Sequence, residues 1–192
     1  MSRPVVLGIT GASGAAYGLR LLELLAELRV ETHLVVTEPG AQVIAHETGL
    51  SVDRLATGTE GGEATVRSWA IDDLFAPIAS GTYLTEGMVV APCSIRTLSA
   101  VACARSSNLL ERAADVTLKQ RRPLVLMVRE TPLHLTHLRL MVQAAEAGAI
   151  IMPPVPAFYG KPKTIEELVD DTAARALDLL GLDHDLLQRW GE

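Results

Sequence analysis

The chain has 192 residues, 48% hydrophobic and 21% charged, which suits one large domain with a sizeable core. Its 17 basic and 23 acidic groups leave a net charge of −6, which excludes a general attraction to nucleic acid or anionic membrane, so any anion site must be a local basic cluster. Cys93 and Cys103 form no disulfide framework and no paired zinc motif, the N-terminal stretch has no signal-peptide core, and no apolar run reaches the ~18 residues of a membrane span; the expected setting is reducing and cytoplasmic.

Val5 to Ile9 is a short β-branched run and predicts a buried strand. "TGASGAAYG" follows, then "LRLLELLAEL" with leucines at helical spacing. Val30 to Val36 predicts a second strand, and Glu38 to Thr48 a helix. Residues 51–68 are polar and glycine-rich and carry no assignable element. Ile71 to Ile78 predicts a third strand, and Met88 to Ala91 a fourth, broken by Pro92. Helices are expected at about 94–104 and 108–119. Leu124 to Val128 predicts a fifth strand, Leu133 to Ala147 a helix, and Ala149 to Met152 a sixth short strand. A proline-rich loop, "PPVPAFYGKPKT", leads to an amphipathic helix from Ile165 to Leu180, closed by Gly181. Without repeats or linkers, residues 1–192 read as a single domain with a helical tail from about 164.

Short apolar strands alternating with helices predict an α/β fold with a parallel sheet covered on both faces. Ligands of such sheets sit beyond the carboxyl ends of the strands. Four exits then share one edge: "TGASG", "VTEPG", "APCSIRT" and "RETP". Gly11, Ser13 and Gly14 open a helix, where free N–H groups favour an anion, although a tight turn capped near Ser13 reads equally well. The pattern is neither GxGxxG nor a P-loop. Ser94 and Thr97 offer hydroxyls at the next helix start, either as a cap or as ligands. Cys93 reads as a buried structural cysteine.

Arg112, Lys119 and Arg122 can share a helix face, which is ordinarily a solvated one. Arg129 differs because it follows an apolar strand directly, and arginine suits bidentate phosphate binding. Glu130 beside it is a candidate acid or base. His134 and His137 lie one helical turn apart with no evident third metal ligand, so no metal site is assigned. Tyr159 sits in the proline-rich loop. Arg175 either joins a site or pairs with Asp171 one turn earlier.

"GITGASGA", "MVVAPCSIRTLSAVA", "NLLERAADVTLKQRRPLVLMVRETPLH", "EAGAIIMPPVPAFY" and "ALDLLGL" resemble the UbiX-type flavin prenyltransferases, the phenylacrylic acid decarboxylase-like flavoproteins, in order from about residue 4 to 182. The resemblance implies a three-layer Rossmann-like (flavodoxin-like) fold with a mostly parallel sheet and bound FMN. It implies metal-independent transfer of a dimethylallyl group from dimethylallyl monophosphate to N5 and C6 of reduced FMN. The prenyl-FMN would pass to a UbiD-type decarboxylase, and the enzyme would assemble as a dodecamer with sites between subunits. On this resemblance Gly11, Ala12, Ser13, Thr37, Ser94, Ile95, Arg96, Thr97 and Arg129 contact FMN. Lys119, Arg129, Glu130, Tyr159, Arg175 and Arg112 form the prenyl-phosphate pocket. Glu130, Ser13, Glu47 and Lys119 are the expected catalytic residues, with Glu47 and Ser13 assisting proton movement. "SIRT" and "YGKP" depart mildly from the family's usual "SMKT" or "SMRT" and "YHRP". Two other readings exist: an FMN-dependent cysteine decarboxylase, for which His46 is the only nearby histidine, and a non-catalytic flavin carrier. Neither accounts for the "RETPLH" and "PAFY" blocks together with Lys119, Glu130 and Arg175.

Overall fold

The computed structural model describes residues 3–55 and 66–187. Its strands are β1 (Val5–Ile9), β2 (Thr32–Val36), β3 (Val66–Trp69), β4 (Gly87–Cys93), β5 (Leu124–Val128) and β6 (Ile150–Ile151). Its helices are α1 (Ala15–Glu27), α2 (Glu38–Thr48), α3 (Val52–Leu55), α4 (Ile95–Ala102), α5 (Leu109–Lys119), α6 (Leu135–Glu146) and α7 (Ile165–Leu179). The strands form one sheet in the order β3-β2-β1-β4-β5-β6, every described pairing parallel. This is the expected three-layer Rossmann-like α/β architecture.

Period-two alternation splits the core into two layers. Val5, Leu7 and Ile9 face one side with Val89, Ala91, Val125 and Met127, under α1 and α7. Val6, Met88, Val90, Leu124 and Leu126 face the other, under α4 and α5. Burial on both faces explains why the strands read as continuous apolar runs rather than alternating ones. The strand order reverses between β1 and β4, so the crevice beyond their carboxyl ends is the switch point.

Two strand expectations are corrected. Ile71 to Ile78 is not a strand: Asp73 forms a turn, its Oδ1 accepting the Phe75 N–H at 3.1 Å, and Pro77–Ala79 is a 3-10 turn. The edge strand is β3 instead, which begins in the unassigned 51–68 stretch and ends just past it at Trp69; residues 56–65 of that stretch lie outside the described residues. Pro92 does not end β4. The ladder to β5 slips between Val90 and Cys93 and then resumes, Cys93 pairing with Val128.

Candidate active site

Thr10 follows β1 directly and is 1% exposed. Its Oγ1 donates to the Pro92 carbonyl at 2.7 Å and accepts the Ser94 N–H at 2.8 Å, so one hydroxyl joins the exits of β1 and β4. The Thr37 N–H donates to the Ile9 carbonyl at 3.0 Å and brings in the β2 exit. Arg129 brings in β5: its N–H donates to the Cys93 carbonyl at 3.1 Å and its Nε to the Ser13 carbonyl at 3.0 Å. All four exits named from sequence are thus bonded to one another. Thr10 escaped that reading because its partners lie more than eighty positions away and no local pattern reveals them.

A cleft of about 370 Å³ opens there, lined among others by Gly11, Thr37, Pro39, Ser94, Arg96 and Thr97. Thr37 caps α2, its Oγ1 accepting the Gly40 N–H at 3.1 Å. Ser94 caps α4, its Oγ accepting the Thr97 N–H at 3.3 Å and lying 3.2 Å from Thr97 Oγ1. Cap and lining are therefore one role for these hydroxyls. A Cβ on Gly11 would run into Pro39, so the loop comes close to α2 only as glycine. An N-terminal helix turn with two hydroxyls and the exposed Arg96 suits an anion. Ile95 packs against the core and is not among the residues that line the cleft. Ala12 is buried, and its N–H donates to the Thr10 carbonyl at 2.9 Å. Ile71, Asn108 and Glu111 also line the cleft and were missed. They arrive by a long-range contact in which Leu109 N–H donates to the Ile71 carbonyl at 2.8 Å.

The start of α1 is filled by the chain itself. Glu47 of α2 accepts the Gly14 N–H on both oxygens, at 3.1 and 3.0 Å, and the Ala15 N–H at 2.8 Å. Burial pushes the Glu47 carboxyl up. The Ser13 hydroxyl, the amides of Ala15 and Gly14, and the Arg129 guanidinium outweigh it, so the net shift is down.

The prenyl-phosphate set does not come together within one chain. Glu130 is exposed at the exit edge, and its Oε1 accepts the Thr131 N–H at 3.0 Å. Lys119 closes α5, about 15 Å along the axis from Leu109, because a helix leaving a strand exit returns to the opposite edge. There it lines a separate cavity of about 210 Å³ with Arg105 and Asp115. Arg112 is engaged elsewhere, its Nε donating to the Ala79 carbonyl at 3.1 Å and its Nη1 to Asp115 at 3.0 Å. Arg175 pairs with Asp178 at 3.1 Å, not with Asp171. Tyr159 is 60% exposed on its loop. Arg122, part of the basic run, straps the segment before β4 by donating to the carbonyls of Gly81 and Tyr83 at 2.9 and 2.8 Å.

Burial pushes the Cys93 thiol up to about 12, which removes it as a nucleophile at neutral pH. The rings of His134 and His137 lie against each other, tilted by 35° with centroids 3.5 Å apart, and His134 Nδ1 accepts the Thr136 N–H as the cap of α6. Among the described residues no group of three or more His, Cys, Asp or Glu side chains is placed to hold a metal. His46, needed by the cysteine decarboxylase reading, is exposed on α2.

The flavoprotein family matches residues 1–177. The chain is 52% identical over 186 residues to the flavin prenyltransferase UbiX of Thauera aromatica, covering 97% of this chain and 93% of that one. Among solved structures, AnUbiX (PadA1) in complex with FMN and dimethylallyl pyrophosphate superposes with a TM-score of 0.93 at 42% identity, covering 100% of this chain and 99% of that one. A dodecameric FMN-dependent UbiX-like decarboxylase from Escherichia coli O157:H7 gives 0.90 at 40% identity, over 98% of this chain and 100% of that one. An FMN-dependent cysteine decarboxylase, TvaF, at 14% identity and a TM-score of 0.67, shares the fold alone.

Proposed function

The chain belongs to the flavoprotein family, among its UbiX-type flavin prenyltransferases, and on that premise we propose how its residues carry out the transfer. FMN is the cofactor and a dimethylallyl phosphate, the monophosphate first, is the prenyl donor. Reduced FMN, when bound, supplies the N5 and C6 positions to which the prenyl group becomes attached. The cleft at the start of α4 fits the cofactor's phosphate: it offers a helix N-terminus, the hydroxyls of Ser94, Thr97 and Thr37, and Arg96. The start of α1 is already satisfied by Glu47, so the Gly11–Ser13 loop serves the uncharged part of the cofactor. The reading rests chiefly on the Arg129–Ser13 bond, which sets the fifth-strand guanidinium against the first loop, beside that cleft.

Loss of phosphate from an allylic carbon needs cations where charge develops on the leaving group, and a dry site. Arg129 supplies one cation. Glu130 exchanges a proton with the donor phosphate or the acceptor. Within one chain Lys119 lines a separate cavity and Arg175 pairs with Asp178, so other copies bring such side chains, with Tyr159, over the exposed Glu130. Arg112 joins this pocket only if it gives up part of its bonding to Ala79 and Asp115. The exposed Leu135, Leu138 and Val142 of α6, whose one fully buried residue is Ala144, support burial between copies, and a homododecamer follows the Escherichia coli O157:H7 protein. Residues 1–192 act as a single domain, in the cytoplasm, and hand the prenylated flavin to a UbiD-type decarboxylase. No described helix is long and apolar enough to cross a membrane.

The test is complementation. Lys119→Met and Glu130→Gln, each made alone, should lose most activity. Co-expressed and co-assembled, they should regain it through sites that take Lys119 from one copy and Glu130 from another. If the mixed assembly stays as inactive as its parts, the shared-site reading is wrong.

A further inference from the structure

We infer that Glu47 is a positioning residue rather than a proton carrier: it caps α1 from across the fold, commits the Ser13 hydroxyl as a donor, and through the Ser13 backbone sets where Arg129 stands. The inference deepens the function proposed above and rests on it. Gly14 is the N-cap residue of α1, in the left-handed region at φ 103°, and has no side chain to cap with. The first turn of a helix leaves N–H groups without partners. Glu47, more than thirty positions away, takes two of them. An ionised carboxylate is also the charge that a helix start favours.

The rest of the arrangement follows bond by bond. The Ser13 hydroxyl is among the groups that hold the Glu47 carboxylate in its ionised form, and against a carboxylate a hydroxyl can act only as the donor. The Ser13 carbonyl accepts from Arg129 Nε. Residues 13 to 15 thus form a short bridge with a carboxylate on one side and a guanidinium on the other. Arg129 adds its field to Glu47. A carboxylate so held is a poor shuttle, because taking up a proton would break the bonds that fix the loop. Its depressed pKa agrees with that geometry.

α2 is shaped for the task. It begins at the β2 exit, where Thr37 bonds to Ile9, and its last turn reaches the start of α1, so it lies across the exit edge rather than returning along the sheet. Gly40 allows this because a Cβ there would press on the Ile9 carbonyl at 2.7 Å.

The experiment compares wild type, Glu47→Gln, Glu47→Asp and Arg129→Ala in FMN titrations, with amide hydrogen exchange on the flavin-free proteins. Glutamine can turn only its oxygen towards an amide, so it loses charge and at least one of the two caps. FMN affinity in Glu47→Gln should fall roughly ten- to a hundredfold, the scale of losing charge-assisted hydrogen bonds. The loss should be far smaller in the background of Arg129→Ala, since both act through Ser13. Protection of the Gly14 and Ala15 amides should drop in Glu47→Gln without flavin. The acid limb of the pH–rate profile should persist in this variant. Wild-type FMN affinity in Glu47→Gln together with loss of that limb would make Glu47 a proton carrier and overturn the inference, as would additive losses with Arg129→Ala. If Glu47→Gln does not fold, Glu47→Asp, too short to reach both amides, serves in the affinity and amide-exchange arms. A wild type that takes up no flavin would sink the functional reading, and the amide-exchange arm would still decide the role of Glu47.

Discussion

Replacing Thr10 with valine keeps volume and branching and deletes one hydroxyl. That hydroxyl makes two bonds, to the Pro92 carbonyl at 2.7 Å and from the Ser94 N–H at 2.8 Å, at a position 1% exposed. Pro92 keeps a longer bond from the Thr10 N–H at 3.3 Å, so the carbonyl is not orphaned. The part-buried Ser94 amide would lose the acceptor it has in Thr10, and a donor left unpaired costs about 1–3 kcal/mol. With the lost bond to Pro92, the expected total is about 2–4 kcal/mol. For a chain of this size that lowers Tm by roughly 4–16 °C. The assay is urea unfolding and thermal melting at one fixed protein concentration, because assembly couples to stability. Thr10→Ser should restore most of the loss. FMN affinity should also fall in Thr10→Val, since Ser94 and the first loop would no longer be held in register. A valine variant within about 0.5 kcal/mol of wild type, a change typical of a neutral surface substitution, would refute the claim that Thr10 ties the two loops.

Glu130→Gln should leave FMN uptake intact and slow prenyl transfer by roughly 10²–10⁴, the usual scale of lost acid–base help; turnover at the wild-type rate would remove Glu130 from the chemistry. Burial pushes the His33 imidazole below its ordinary value, more than the Glu31 carboxylate raises it. The unfolded chain therefore binds that proton more readily, so this contribution to stability is full above about pH 6.5 and is lost as pH falls from there towards the lowered folded value. His33→Gln should flatten this part of the stability profile, and an unchanged slope would assign it to other groups.

The fold was legible where burial is simple. β1 and β5 are apolar on both faces, and their limits from sequence match those observed, as do those of α2 between Thr37 and Gly49. The third strand was misplaced because β3 is a half-exposed edge strand with little apolar signal, while the Ile71–Ile78 stretch carries apolar residues that serve a turn. The exit-edge half of the site was readable because topology alone gathers strand ends. The other half was not: within one chain Lys119 lines a separate cavity, Arg112 bonds Ala79 and Asp115, and Arg175 pairs with Asp178, so a pocket that includes Glu130 requires the contacts between copies proposed above. Glu47 shows a further limit. Its residue type and neighbours look like any helix end, and its role appears only once α2 is seen to cross the exit edge.

As a flavin prenyltransferase of the UbiX type, this chain is proposed to build the prenylated flavin at the joined exits of β1, β2, β4 and β5. The direct measurement is anaerobic incubation of the purified protein with reduced FMN and dimethylallyl monophosphate, followed by mass analysis of the flavin. The expected product is a flavin heavier than FMN by one prenyl unit, formed by wild type and nearly absent with Glu130→Gln. Recovery of unmodified FMN only, from protein that has bound both ligands, would contradict it.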